Sequence, residues 1–515
     1  MTYDAIVIGA GPNGLTAAAT LAKSGRTVLV LESAHEIGGH TRTIEFTPGF
    51  RSPLNEDCGW LPPAVAKSLG ITHHELHRVT RPVTMSVVRN DGALWSLRPV
   101  SAQGTAESVR ELSDRDASRW PAFVKRMHQF AGILETLYQL PAPDIATSSL
   151  REILPLLGVG RKLRALGRSD MIEFLRIMPM SIQDLVDDTF ESELLKAAIA
   201  SKAVRDLQQG PRSGGTTFNL LHYMTSESVR YFGARLWTRG GPDAFARAAA
   251  DVARARGVEI RTDARVERII VAEYGVRGVV LAGGEEIAAR TVISTADPKR
   301  TLLGLVDPVW LDPDFMLAVR NIRMRGCTAY VLYALDALED RDRLFVSSVS
   351  LTSDTASLEK AADAAKYGEI SPSPHVEFFA PTQRWPQLAP EGKHVVAARV
   401  QYAPYHLRSG DWTAADAAGI ESQVRSAIGR VIPGFDSTVL HHLVLTPRDI
   451  EDRFGATEGA LTQGERALDQ ILFMRPVPGW GRYATPIDGL YLGGAGAHPG
   501  HGVLGGAGWL AARSV

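Results

Sequence analysis

The sequence predicts an α/β protein whose N-terminal end is a Rossmann-like dinucleotide-binding unit, and three observations carry that prediction. Ala5-Ile6-Val7-Ile8 is a short apolar run that feeds the turn Gly9-Ala10-Gly11-Pro12-Asn13-Gly14. Behind the turn, Leu15, Ala18, Ala19 and Ala22 recur at helical spacing, and Gly25 stands where a C-terminal cap belongs. Thr27-Val28-Leu29-Val30-Leu31 then reads as a second buried strand that ends on an acid, Glu32. Strand, glycine turn, helix, strand and acid in this order form the fingerprint of a βαβ unit that holds a pyrophosphate.

Each residue of the fingerprint has its own reason. Gly9 permits the tight turn off the strand, Gly11 lets the backbone approach the pyrophosphate, and Gly14 lets the helix pack closely on the sheet. Pro12 and Asn13 open the helix, whose unpaired N–H groups and positive dipole end face the phosphates. Glu32, with Ser33 beside it, is placed to accept hydrogen bonds from a ribose hydroxyl and would repel a ribose 2′-phosphate. A structural βα turn without a ligand is the plainer alternative, and it leaves this many agreeing features unexplained.

Composition bounds the rest. A chain of 515 residues is too long for one ordinary core, so two domains are expected. Lys and Arg (56) balance Asp and Glu (57) for a net charge of −1, which provides no general attraction to nucleic acid. The two cysteines, Cys58 and Cys327, are far apart and lack metal-type spacing, so reduced thiols are expected and neither a disulfide framework nor a zinc site. No run approaches the ~20 apolar residues of a membrane span, and the first strand starts too early for a cleavable signal, which predicts a cytoplasmic protein.

The second glycine pair selects among dinucleotides. Gly38-Gly39-His40-Thr41-Arg42-Thr43 follows Glu32 closely, and a simple NAD-dependent dehydrogenase has no use for it. FAD does, because its longer body runs past the first turn and needs a second pliant backbone segment, with hydroxyl and cationic side chains, to close over it. A surface turn is the bland reading of Gly-Gly; the position after Glu32 favours FAD.

The far end of the chain carries a family resemblance. Tyr483 to Val503, with Gly493-Gly494-Ala495-Gly496-Ala497-His498-Pro499-Gly500-His501-Gly502-Val503 at its core, resembles the closing flavin motif of phytoene-desaturase-related proteins, as does Asp469-Gln470-Ile471-Leu472-Phe473-Met474-Arg475-Pro476 before it. Gly210 to Thr216, Arg239 to Pro242 and Ser294 to Thr301 also stand where that family has similar stretches. Over nearly its whole length the chain resembles flavoproteins of the two-dinucleotide-binding type, a group that includes amine oxidases and phytoene desaturases. Within the group it is most similar to the carotenoid desaturase-like branch that bears the name pyridine nucleotide-disulphide oxidoreductase. His40, often a small or basic residue, and His501, which interrupts a more usual glycine run, depart from the pattern. His498 and His501 could be imagined as metal ligands, but their loop setting and the lack of a third ligand favour flavin-loop residues and no metal.

The resemblance implies a discontinuous FAD-binding domain, built from 1–75, 235–300 and 480–515, and an α+β substrate domain, a mixed sheet plus helices, from 76–234 and 301–479. It implies that Val266 meets the adenine through its backbone, and that Gly494, Ala495, Gly502 and Val503 approach the flavin ring. A final helix is expected from Val503 to Arg513, with its positive end toward that ring. In the second domain, 328–335, 376–380, 395–402 and 439–445 read as strands, and 105–209 as largely helical. Asp170 and Glu173 stand at capping-box spacing.

The expected function is an FAD-dependent oxidoreductase that passes a hydride from a substrate carbon to flavin N5, desaturating a lipophilic, carotenoid- or lipid-like substrate. Oxygen or a quinone is the expected acceptor. A second glycine turn for NADPH is missing, since Gly158-Val159-Gly160 runs into Arg161-Lys162-Leu163, and so is a redox cysteine pair. Leu150 to Met180 mixes apolar residues with Arg151, Arg161, Lys162, Arg164, Arg168 and Arg176, a composition suited to transient contact with a membrane surface; Pro155, Gly158, Gly160 and Gly167 are expected to break its periodicity. No acid or base is assigned; His222, Tyr402 and His406 are candidates by residue type alone. An amine or other C–N oxidase on the same scaffold, and a flavin-binding protein without turnover, are the alternatives.

Overall fold

The computed structural model describes all residues except 1, 57–58, 72–77, 80–84, 90, 98–101, 144–149, 226–231, 233–236, 239 and 339–347. Cys58 and Arg239 thus lie outside the described residues.

The chain opens with β1 (Tyr3–Ile8), α1 (Pro12–Lys23) and β2 (Val28–Leu31). Both strands are apolar throughout because the sheet they enter is covered on both faces; Ile6, Val7, Leu29 and Val30 are fully buried. β1 lies at the centre, parallel to β2 on one side and to Glu286–Ser294 on the other. Glu259–Arg261 extends the sheet beyond β2, and Leu490–Leu492 joins it in parallel beside Glu286–Ser294. An antiparallel ribbon of Val266–Ala272 and Gly275–Leu281 completes seven strands. Pieces of chain hundreds of residues apart therefore form one sheet, and α1, Ala244–Ala255 and Gly506–Ala512 pack against it through small residues such as Ala17, Ala249, Ala250 and Ala511.

A second seven-stranded sheet runs in the order Val439–Leu445, Thr328–Leu335, His394–Gln401, His375–Phe379, Ser348–Ser350, Met85–Val88, Leu94–Leu97. All neighbours are antiparallel except Ser348–Ser350 against Met85–Val88, which makes the sheet mixed. The four longest strands are those the sequence predicts, within a residue. The three short ones are not legible in it because they are interrupted by serines; the fold buries Ser86, Ser348 and Ser350, and Ser86 bonds the half-buried Ser96 hydroxyl at 2.7 Å.

The helical layer includes Asp114–Leu137, Leu150–Ala165, Gly167–Ile177, Ile182–Thr189, Glu193–Ala203 and Thr216–Met224. Three expectations need correction here. Leu150–Ala165 runs through Pro155, Gly158 and Gly160 without a break, because Val159, Leu163 and Leu166 pack on the core and tertiary burial outweighs local propensity. The break falls at Gly167, whose φ of +79° only glycine adopts readily. Asp170 and Glu173 do not cap a helix: the helix begins at Gly167, Asp170 faces Arg126 at 3.3 Å, and Glu173 pairs with Arg176 at 2.9 Å. The final helix is Gly506–Ala512, not Val503 to Arg513, because the backbone on either side of Val503 is committed elsewhere: Trp60 N donates to the Gly502 carbonyl and Leu504 N to the Trp60 carbonyl, both at 2.8 Å. No helix among the described residues is long and apolar enough to cross a membrane.

Candidate flavin site

The N-terminal turn is built by close approach. A Cβ added to Gly14 would lie 1.9 Å from the Gly9 carbonyl oxygen, so the start of α1 touches the end of β1 backbone to backbone. Gly11 caps α1 with extended dihedrals and no side chain, so the first-turn N–H groups face open space. The second glycine loop folds onto the first: Gly38 N donates to the Ala10 carbonyl at 2.9 Å, and a Cβ on Gly39 would stand 3.1 Å from Gly11 Cα. Glu32 secures the turn from below. Its carboxylate accepts from Ala10 N at 2.7 Å and from Ala34 N at 2.9 Å.

A cavity of ≈ 1170 Å³ extends from this turn in both directions. Gly9, Gly11, Pro12 and Asn13 form its middle, with Gly39, His40, Thr41 and Arg42 of the second loop opposite. Glu32, Ser33 and Val266 line the part that would take an adenosine, and Ala495, Gly502 and Val503 line the part beyond the turn. Gly14, Gly38 and Gly494 are not on the wall. They act behind it, Gly494 because a Cβ there would lie 2.5 Å from the Thr295 carbonyl.

Thr295, Asn55, Arg205, Asp206, Tyr223 and Gln463 also line the cavity, and the sequence does not mark them as site residues. Thr295 donates through Oγ1 to the Ile8 carbonyl at 2.8 Å, which locks the end of Glu286–Ser294 to the turn. Thr295 falls within the family-like stretch Ser294 to Thr301; no local motif signals the other five, which converge through packing.

The end of the cavity beyond the turn, where the flavin ring of a dinucleotide so oriented would lie, holds His222 and His501. The His501 carbonyl can only accept, so His222 Nε2 carries the hydrogen and donates to it at 2.7 Å, which leaves Nδ1 to accept from the Tyr138 hydroxyl at 2.8 Å. Burial, reinforced by the nearby Arg466 guanidinium, holds His222 well below its ordinary value, so it is neutral with both nitrogens engaged. Burial also holds His501 down to about 3 and His498 to about 4. His498 Nε2 faces the Leu137 carbonyl at 3.3 Å. Burial pushes the Asp206 carboxyl up, but the Arg399 and Arg205 guanidiniums outweigh it and hold the group well below the usual carboxylate range. Asp206 is bonded by both Arg399 and the Tyr223 hydroxyl.

Of the other candidate acid-base residues, Tyr402 is displaced from the site. It is fully buried, donates to the Gln209 carbonyl at 3.0 Å and does not line the cavity. His406 sits in a small separate hollow with Trp412 and Arg448. Cys327 is buried, and burial pushes its thiol up to about 12, so it is an unreactive thiol.

Acid should destabilise the protein through its buried histidines. His222, His375 and His498 are each at most 2% exposed and neutral, with burial holding His375 and His498 to about 4. Below the ordinary value of 6.5 the unfolded chain takes up protons that the folded chain refuses, so stability falls as pH falls toward the folded values. Between pH 6.5 and 5.5 each should cost roughly 1 kcal/mol, about 3 kcal/mol for the three. Urea unfolding at the two pH values checks this; equal midpoints would contradict it.

The cradle fits FAD: two interlocked glycine loops at a helix N-terminus, an acid at the adenosine end, and a cavity longer than a single nucleotide needs. Comparison with known proteins agrees. Residues 13–515 match the family described as flavin containing amine oxidoreductase. The chain is 34% identical to the rat protein named pyridine nucleotide-disulfide oxidoreductase domain-containing protein 2, covering 100% of this chain and 93% of that one. It is 26% identical to a subunit of the limonene dehydrogenase of Castellaniella defragrans (99% and 94% covered) and 22% identical to 4,4'-diapophytoene desaturase of Staphylococcus aureus (96% and 95%). Among solved structures it shares the fold of an oxidoreductase from Methanosarcina mazei, at a TM-score of 0.60 and 18% identity, with 99% of each chain covered. The fold, the cradle and these matches together place the chain in the flavin-containing amine oxidoreductase family, as an FAD-dependent oxidoreductase of its amine oxidase and desaturase group.

Proposed function

We propose that the enzyme desaturates a C–C bond of a lipophilic substrate, which loses a hydride from one carbon and a proton, to water, from its neighbour, the two electrons passing finally, with two protons, to oxygen or a quinone. FAD supplies the hydride acceptor. The chain's own residues bind it through the N-terminus of α1 and the two glycine loops, and shape the wall against which a substrate lies.

The observation that carries this reading is the state of the acid-base groups at the ring end. His222 has both nitrogens bonded and Asp206 is committed to Arg399 and Tyr223, while burial makes His501, whose Nδ1 has no partner among the described residues, a weak base held down to about 3. A reaction that needs a hydride acceptor and no dedicated side-chain base suits such a wall. The names of two relatives, a limonene dehydrogenase and a diapophytoene desaturase, support removal of hydrogen from a lipophilic molecule.

Substrate delivery from a membrane surface belongs to the same proposal. Leu157, Ile172 and Leu175 are exposed on Leu150–Ala165 and Gly167–Ile177, and Arg161, Arg164 and Arg168 are exposed among them. Exposed apolar side chains interspersed with cations suit an anionic lipid interface.

The test is anaerobic reduction of the purified holoenzyme by carotenoid precursors and acyl lipids carried in anionic vesicles, and by amines. Loss of the oxidised flavin's visible absorption with the lipophilic donors is expected, and Leu175→Asp should slow it for vesicle-borne donors alone. Reduction by amines only would replace the proposal with C–N oxidation. Reduction by none of them, with FAD retained, would remove the substrate class altogether.

A further inference from the structure

The buried charges around the ring end do not cancel. Lys202 meets Glu377 at 3.0 Å, Arg205 meets Glu56 through Nη2 at 2.7 Å, Arg399 meets Asp206, and the buried Glu465 meets the partly exposed Arg325. Arg466 and Arg475 remain. Among the described residues neither forms an ion pair with a carboxylate, although they are only 4% and 3% exposed.

Arg475 is held entirely by backbone carbonyls. It donates through Nη2 to Thr462 at 2.7 Å and Ala495 at 2.8 Å, and through Nη1 to Gly464 and Gln470 at 3.3 Å. Arg466 donates through Nε to Asn219 Oδ1 at 2.7 Å and through Nη2 to the Tyr223 hydroxyl, with its guanidinium 4.5 Å from the Tyr223 ring centre. Its Nη1 has no partner among the described residues. The residues they touch, Ala495 and Tyr223, line the cavity, so both cations stand one residue behind its wall. Burial, together with repulsion from Arg466, brings Arg475 down to about 9, and the nearby His222, His498 and His501 are neutral.

Burying a cation is costly unless an anion answers it. The pyrophosphate cannot be that anion, because its charge belongs to the N-terminus of α1 at the middle of the cavity. We propose that Arg466 and Arg475, which no carboxylate among the described residues pairs directly and of which Arg466 reaches Asp206 only through the Tyr223 hydroxyl, stabilise the negative charge FAD carries when reduced, raising its tendency to accept two electrons. The proposal rests on the FAD site and is independent of which substrate is oxidised. An anionic substrate group could answer the same charge, and the test separates the two sources.

The midpoint potential of FAD bound to the full-length protein, measured without substrate at fixed pH, provides the readout. Arg466→Met should lower it, reducing the equilibrium constant for two-electron reduction roughly tenfold or more, whereas Arg466→Lys should retain most of the wild-type value. Tyr223→Phe, which keeps the cation and loses the hydroxyl, should move it little. Arg466→Gln, which keeps hydrogen-bond donors for Asn219 and Tyr223, replaces Met if that variant does not hold FAD. An unchanged potential in the neutral variants would assign the charge to an anionic substrate and overturn the proposal. A potential in Arg466→Lys as low as in Arg466→Met would assign the effect to packing and overturn it as well.

Discussion

Gly11→Val should give a folded protein that no longer holds FAD. Gly11 has a φ of −77°, which any residue accepts, and a Cβ there would make an ordinary 3.6 Å contact with Gly39 Cα. The backbone therefore tolerates the change. The two methyl groups beyond that Cβ must then enter the narrow space between the glycine loops, at the N-terminus of α1, the position we assign to the pyrophosphate. We expect affinity for FAD to fall by about 100-fold or more, near 3 kcal/mol, while the melting temperature of the FAD-free protein stays close to wild type. Gly14→Ala provides the contrast, because its Cβ would sit 1.9 Å from the Gly9 carbonyl and the strand-to-helix contact itself must open. Titration of the apoprotein with FAD and its flavin-to-protein ratio after purification measure the first effect. Normal FAD binding by Gly11→Val would mean that the pyrophosphate lies elsewhere.

Glu377→Ala should destabilise the fold by about 3–5 kcal/mol, the cost of stranding a buried charge. Glu377 lies on the second sheet and Lys202 on the helix Glu193–Ala203; each side chain is 5% exposed, and Lys202 also donates to Ser348 Oγ at 3.1 Å. Burial pushes the Glu377 carboxyl up, but Lys202 and the neighbouring cations pull it down to about 2, so the pair is charged. A carboxyl held low contributes stability that is present above its ordinary 4.5 and lost as pH falls toward 2. With the glutamate gone, Lys202 is left in a dry site without its partner carboxylate. Replacing both, as in Glu377→Leu with Lys202→Met, should recover much of the loss, because a matched apolar pair needs no counter-charge. Denaturant unfolding of the single and double variants checks this; a single variant within about 1 kcal/mol of wild type would show that water reaches Lys202.

How much could be read in advance differs between the two ends of the cavity. At the first turn, individual residues were legible: Gly9, Gly11, Pro12, Asn13 and Glu32 line the cavity, and Gly14 packs the helix against the strand. At the ring end the family motif located Ala495, Gly502 and Val503 on the wall but placed Val503 in a helix, where its neighbours instead bridge to Trp60. His222 was a candidate base by type and proves to be a neutral group with no nitrogen to spare, which only its partners Tyr138 and His501 reveal.

The physical reason is the range of the forces involved. Glycine turns, helix starts and the apolar runs of β1 and β2 follow from dihedral freedom and periodicity within about thirty residues, so the sequence by itself determined the βαβ unit and the glycine turn that lines the cavity. The ring end depends on burial and on charges brought together from distant segments, such as Arg205 on Glu56, Asp206 on Arg399, and Arg466 on Asn219 and Tyr223. Whether a buried arginine has a counter-charge is decided by what packs around it, and only the tertiary structure shows that Arg466 and Arg475 pair with no carboxylate among the described residues.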